Sequence, residues 1–120
     1  GDLEVKADDG AILKLQTTDT SVVDGDVLGA IEFNAPDEAS GTDAITTAAS
    51  IVAEADAGFG ATQNYTDLVF KLGTSGAAAE KARLTHEGNL SATSFSGDGS
   101  ALTNLPETGD GGIAMAIALG

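Results

Sequence analysis

The segment Leu84–Pro106, LTHEGNLSATSFSGDGSALTNLP, leaves no room for a helix. A short strand ends in a turn at Glu87-Gly88-Asn89, and a second extended run follows. A corner at Gly97-Asp98-Gly99-Ser100 then leads into a Leu-Thr-Asn-Leu-Pro exit. Gly and Asn supply the positive φ that such reversals need, and Pro106 bars the residue before it from α geometry. Two extended segments and two tight reversals in so short a stretch commit this part of the chain to β structure.

Upstream, the alternation of apolar and polar residues predicts further strands. Leu3-Glu4-Val5-Lys6 alternates, Asp8-Asp9-Gly10 is a turn signal, and Ala11–Thr17 resumes with Leu13 and Leu15 on one face and Lys14 and Gln16 on the other. A second reversal is expected at Asp24-Gly25-Asp26. In the strand predicted over Val27–Phe33, Val27, Ile31 and Phe33 share a face, and Gly29 leaves space there for a neighbouring backbone. Asn34–Asp43, with Pro36 and Gly41, is a loop. Asp43–Asp56 supports two readings. Ile45, Ala48, Ala49, Val52 and Ala55 fit a helical stripe capped by Asp43, favoured by alanine propensity. Ile51, Ala53 and Ala55 also alternate with Val52, Glu54 and Asp56 as a strand would.

Asp67–Leu72 is a strand with Leu68, Phe70 and Leu72 inward and Asp67 and Lys71 outward. With Glu80–His86 it forms an antiparallel hairpin. Its outer face carries Lys71, Lys81 and Arg83, read as a solvated face or as a contact with the acidic surface of a neighbouring chain. Near the C-terminus, Ile113, Met115, Ile117 and Leu119 alternate with alanines. That strand has no polar face and is expected to be buried on both sides.

Aromatic residues make up 4% of the chain and Trp is absent, while the apolar 42% consists largely of Ala. So thin a supply of large side chains favours burial against copies of the same chain. The net charge of −14 repels phosphate-rich partners, which argues against nucleic acid and anionic lipid. Without cysteine there is no disulfide framework, and no apolar run approaches a membrane span. Beginning at Gly1 rather than Met, the chain reads as part of a longer protein.

The Arg83-Leu84-Thr85 … Gly88-Asn89 run leading into Gly97-Asp98-Gly99-Ser100 and Leu102-Thr103-Asn104-Leu105-Pro106 resembles the junction between a small β domain and a fibrous segment in bacteriophage tail-fibre proteins. The resemblance extends upstream through LGAIEF, ASIVAEAD and LVFKLGTSG. It implies an all-β chain, with a small antiparallel β domain over 1–90 and an intertwined fibrous β segment over 91–120. It also favours a strand across Ala49–Asp56. The expected assembly is a parallel homotrimer in which Phe95, Leu102, Leu105, Ile113, Met115, Ile117 and Leu119 make the contacts between subunits. The implied function is structural: part of a tail fibre or virion appendage, extracellular, joined to other virion tail proteins and holding or presenting receptor-binding surfaces. The alternatives are a module that itself binds host-surface glycan and a subunit of an extracellular adhesin or filament.

Catalysis, cofactors and metals are not expected. The acid pairs Asp8/Asp9, Asp24/Asp26 and Asp37/Glu38 lack the spacing of a calcium loop and read as turn chemistry. A glycosidase cleft would want aromatic platforms beyond Tyr65 and four Phe. His86, the single histidine, sits at a strand end beside Glu87-Gly88. In a trimer its three copies could meet on the axis, but one histidine per chain is poor material for an ion site. The Gly97–Ser100 corner lacks the Lys and the following helix of a phosphate loop.

Overall fold

The computed structural model describes residues 1–105. They form one five-stranded antiparallel sheet, with almost no helix. The strands are β1 (Val27–Asn34), β2 (Thr47–Ala55), β3 (Thr66–Leu72), β4 (Ala79–Leu84) and β5 (Leu90–Ala92), and a single 3-10 turn at Asp43–Ile45 precedes β2. Their spatial order equals their order in the chain, so the sheet is a meander with β1 and β5 at its edges.

The alanine-rich stretch is a strand, over Thr47–Ala55. Alanine propensity loses because β2 is hydrogen-bonded on both sides, to β1 and to β3; two ladders outweigh a few tenths of a kcal/mol per residue of helix preference. Asp43 does not cap a helix. It opens the 3-10 turn, and its carboxylate accepts a hydrogen bond from Ser75 Oγ at 2.7 Å.

The reversals fall where Gly and Asp place them. At Asp24-Gly25-Asp26 the Gly25 φ is +90°. Its amide donates to the Ala55 carbonyl at 2.8 Å, while the Ala55 amide donates to Asp26. This turn therefore clamps the end of β2. Gly88, also at φ +90°, closes the β4–β5 turn, where the Thr85 amide donates to Asn89 and the Gly88 amide to Thr85.

The N-terminal segments differ from expectation. Asp8-Asp9-Gly10 does turn, with the Gly10 amide reaching Ala7, but neither Leu3–Lys6 nor Ala11–Thr17 joins a ladder among the described residues. Alternation states which side of a strand would be buried; it does not supply the partner strand. The arm is held instead through Leu15, which lies over Gly29 of β1. A Cβ built at residue 29 would come within 2.9 Å of the Leu15 Cβ, closer than real contacts allow. We expect Gly29→Ala to lever the arm off while leaving the sheet intact, because no ladder bond fixes the arm. Limited proteolysis should then cut around Leu15 well before β1. Unchanged protection there would show that the arm is fixed by other means.

Register also decides which face is buried. Cross-strand partners point to the same side, so Ile31, Phe33, Ala49, Ile51, Ala53, Leu68, Phe70, Leu72, Ala82, Leu84, Leu90 and Ala92 share one face with Gly29. Apart from Thr66, which pairs with Ala55 at its margin, that face is apolar. The other carries Ser50, Val52, Glu54, Asp67, Val69, Lys71 and Arg83. The expected orientation is reversed in its consequence: Asp67 and Val69 are buried, at 2% and 0% exposure, whereas Phe33 and Leu72 of the apolar face are each 53% exposed. Val27 does not join Ile31 and Phe33. A bulge between Val27 and Gly29 turns it to the Glu54 side.

Candidate functional site

Two features stand out: the largely uncovered apolar face, and a charged cluster where β2 ends, β3 begins and β4 ends. The second is built around Asp67 near the start of β3. Its Oδ2 accepts a hydrogen bond from Arg83 Nη1 on β4 at 2.7 Å, and its Oδ1 accepts the His86 backbone N–H at 3.0 Å. Arg83 also donates Nη2 to Glu80 at 2.7 Å, Nε to the other Glu80 oxygen at 3.0 Å, and Nη2 to Glu54 at 3.3 Å. Three carboxylates from three strands thus meet on one planar guanidinium, whose fork suits paired carboxylate oxygens.

The expectation of a shared, solvated basic face fails for two reasons. A bulge opposite Phe70 and Lys71 pairs Ala82 with Phe70 but Glu80 with Lys71, leaving Lys81 unopposed. Simple alternation therefore breaks between Lys81 and Arg83. Arg83 itself is half-buried and ion-paired, so it is a structural residue of the sheet.

Burial pushes the Asp67 carboxyl up, but the Arg83 guanidinium and the His86 amide outweigh it and hold the group below the usual aspartate range. The same pairs raise the Arg83 guanidinium further above its ordinary value, the Glu80 bonds contributing most. Because the Asp67 value is depressed on folding, its stabilisation is present above the unfolded value and is lost as pH falls through the folded one. Acid melts of the wild type and Asp67→Asn should therefore converge as pH drops below the ordinary aspartate range. Parallel curves would show that Asp67 does not titrate with unfolding.

His86 follows β4 directly. Its Nδ1 lies 3.0 Å from Asp56 Oδ2 and 3.6 Å from Asp67 Oδ1, and its Nε2 lies 3.9 Å from Glu87 Oε1. The Tyr65 ring stacks on the imidazole, with centroids 4.5 Å apart and planes 4° from parallel. The β2–β3 connection brings Asp56 and Tyr65 together, since the Asp56 amide donates to the Tyr65 carbonyl at 2.8 Å. His86 is thus a strand-end residue beside its turn, as expected, but enclosed by a carboxylate set that local sequence does not reveal. Asp67 and Arg83 are 16 positions apart, Asp67 and His86 19; only the β3–β4 register unites them.

Of the residues expected to contact other subunits, Phe95 and Leu102 are exposed, at 71% and 61%, and Leu105 is half-exposed. They follow the sheet in a segment shaped by corners at Gly97 (φ +140°) and Asn104 (φ +60°). The Asp98 carboxylate accepts the Ser100 amide at 2.9 Å, and the Leu102 amide donates to Gly99. Ile113, Met115, Ile117 and Leu119 lie outside the described residues. Among the described residues no helix is long and apolar enough to cross a membrane. Compared with models of known families, with curated proteins and with solved structures, the chain matches none.

Proposed function

We propose that this chain is a structural component of a phage tail fibre or related virion appendage, working outside the cell as a parallel homotrimer joined to other virion tail proteins. The observation that carries this reading is the sheet's apolar face, which apart from Leu15 over Gly29 is left largely open, with Ile31, Phe33, Leu68, Leu72, Leu84 and Leu90 exposed. Exposed apolar patches of this extent mark association surfaces, and the paucity of large side chains gives the chain little else to cover it with. Copies of the same chain supply matching apolar surface and cover the open edges β1 and β5, where unpaired backbone groups would otherwise invite aggregation. The tail-fibre resemblance of the Arg83–Asn89 and Gly97–Pro106 runs supports the same reading. Phe95, Leu102, Leu105, Ile113, Met115, Ile117 and Leu119 are assigned to the contacts between subunits.

A glycan-binding role for the β domain would want a free aromatic platform. One face of Tyr65 is taken by His86, and Phe59 is half-buried with its amide bound to Val22, which favours the structural role. Sedimentation equilibrium tests the proposal. The expected mass is three times that of the 11.8 kDa chain; a monodisperse monomer at micromolar concentration overturns it.

A further inference from the structure

We propose that Asp56, Asp67 and His86 form a binding site for a divalent cation of the zinc type, one ion per chain. The three side chains offer one ligand atom each, and these atoms all lie within 4.8 Å of one another. Zinc bonds of about 2.0–2.2 Å in a tetrahedral shell place neighbouring ligand atoms roughly 3.3 Å apart. The 3.0 Å and 3.6 Å separations of His86 Nδ1 from Asp56 Oδ2 and Asp67 Oδ1 bracket that spacing. Only small side-chain rotations separate this arrangement from a three-ligand shell. Imidazole among the ligands selects zinc and its neighbours over calcium, which takes oxygen.

The surroundings supply what a metal site needs beyond its ligands. Arg83 holds the second oxygen of Asp67, and the His86 amide fixes the first, so the buried carboxylate is set in orientation before an ion arrives. Tyr65 stacks on the imidazole and fixes its plane. His86 Nδ1 faces Asp56 Oδ2 at 3.0 Å. Coordination would use the Nδ1 lone pair with the ring proton on Nε2, and the Glu87 carboxylate lies 3.9 Å from that nitrogen, within reach after a side-chain rotation. A ligating histidine commonly gives its other N–H to a carboxylate in this way. The Asp56 and His86 side chains reach solvent, giving the ion a route in and leaving a coordination position for water.

Charge favours occupancy. Glu54, Asp67 and Glu80 surround the Arg83 guanidinium and Asp56 and Glu87 flank His86, in a chain whose net charge is −14. Such a field concentrates cations. An ion here ties the exit of β2, the start of β3 and the end of β4 together, and because the unfolded chain has no such site, binding stabilises the fold. The site lies within one chain, so it stands whether or not the chains assemble as proposed above.

The test titrates the EDTA-stripped full chain with zinc chloride, and separately with calcium chloride, followed by calorimetry and by the imidazole proton resonances. Those resonances belong to His86 alone, the single histidine. Saturable binding of one zinc per chain is expected, with the His86 resonances moving in step and no displacement by equimolar calcium. Asp56→Asn and His86→Gln alter solvent-reaching side chains and should fold, as circular dichroism will check. Each should weaken zinc by roughly tenfold or more, a loss that even supporting residues of metal sites produce. An absence of saturable binding, unmoved His86 resonances, or wild-type affinity in both variants overturns the proposal. The last two results would mean that zinc collects on other surface carboxylates.

Discussion

Arg83→Met should destabilise the sheet by about 3–5 kcal/mol, the usual penalty for leaving a buried charge without its partner. Asp67 is almost wholly enclosed, and Arg83 is its one cationic partner among the ion pairs of β3 and β4. Removing the guanidinium also leaves Glu80 and Glu54 close to an uncompensated Asp67. Against the roughly 5–15 kcal/mol that holds a domain together, that loss is large. Thermal and urea melts should show it directly. The double variant Asp67→Asn/Arg83→Met should recover part of the loss, since a neutral amide no longer needs a cation. A drop of less than about 1 kcal/mol, the scale of exposed pairs, would mean that the guanidinium lives in solvent.

Placing carboxylates on the apolar face should abolish assembly while sparing the sheet. Phe33, Ala49 and Leu72 form a row across β1, β2 and β3. Phe33 and Leu72 are each about half exposed in the single chain. Their remaining surface can contribute roughly half of the 1.5–3 kcal/mol expected for full burial of each side chain. Phe33→Asp/Leu72→Asp removes that gain and asks the interface to bury like charges from every copy, at several kcal/mol per ion. Light scattering should report monomer for the variant and trimer for the wild type, with the far-ultraviolet β signature kept in both. A variant that assembles as well as the wild type would show that this face is not the interface.

Local chemistry made much of the fold legible. Gly25 and Gly88 sit at positive φ in turns that Asp24-Gly25-Asp26 and Glu87-Gly88-Asn89 announce. The period-two pattern from Leu68 to Leu72 is a strand because no helix could use it. What escaped was non-local. The pattern separates Leu68, Phe70 and Leu72 from Asp67 and Val69, but which set is buried depends on what lies over each face. Here an arginine from the next strand allows the aspartate inside, while the leucines await cover. The bulges at Val27/Gly29 and Phe70/Lys71 change the parity of the residues beyond them, so alternation could not place Val27 with Glu54 or Glu80 with Arg83. It did put Asp67 and Arg83 on one face, but as an outer one. The Asp56–Asp67–His86 cluster was hidden for the same reason: its members lie on three segments. Counting back from Leu68↔Leu84 places Asp67 beside the end of β4, but the register itself had to be known first.

The meander order has a kinetic consequence. Every strand pairs only with its sequence neighbours, so no hairpin waits for a distant part of the chain, and low contact order makes folding fast. On a ribosome β1 and β2 can close before β4 has emerged, and each later strand adds to a ready edge. For the proposed trimer, meeting other copies would then be the slow, concentration-dependent step. Before any such meeting the open apolar face is presented by an already folded sheet, so dilution or a chaperone acting in that interval would set how much chain reaches the proposed assembly.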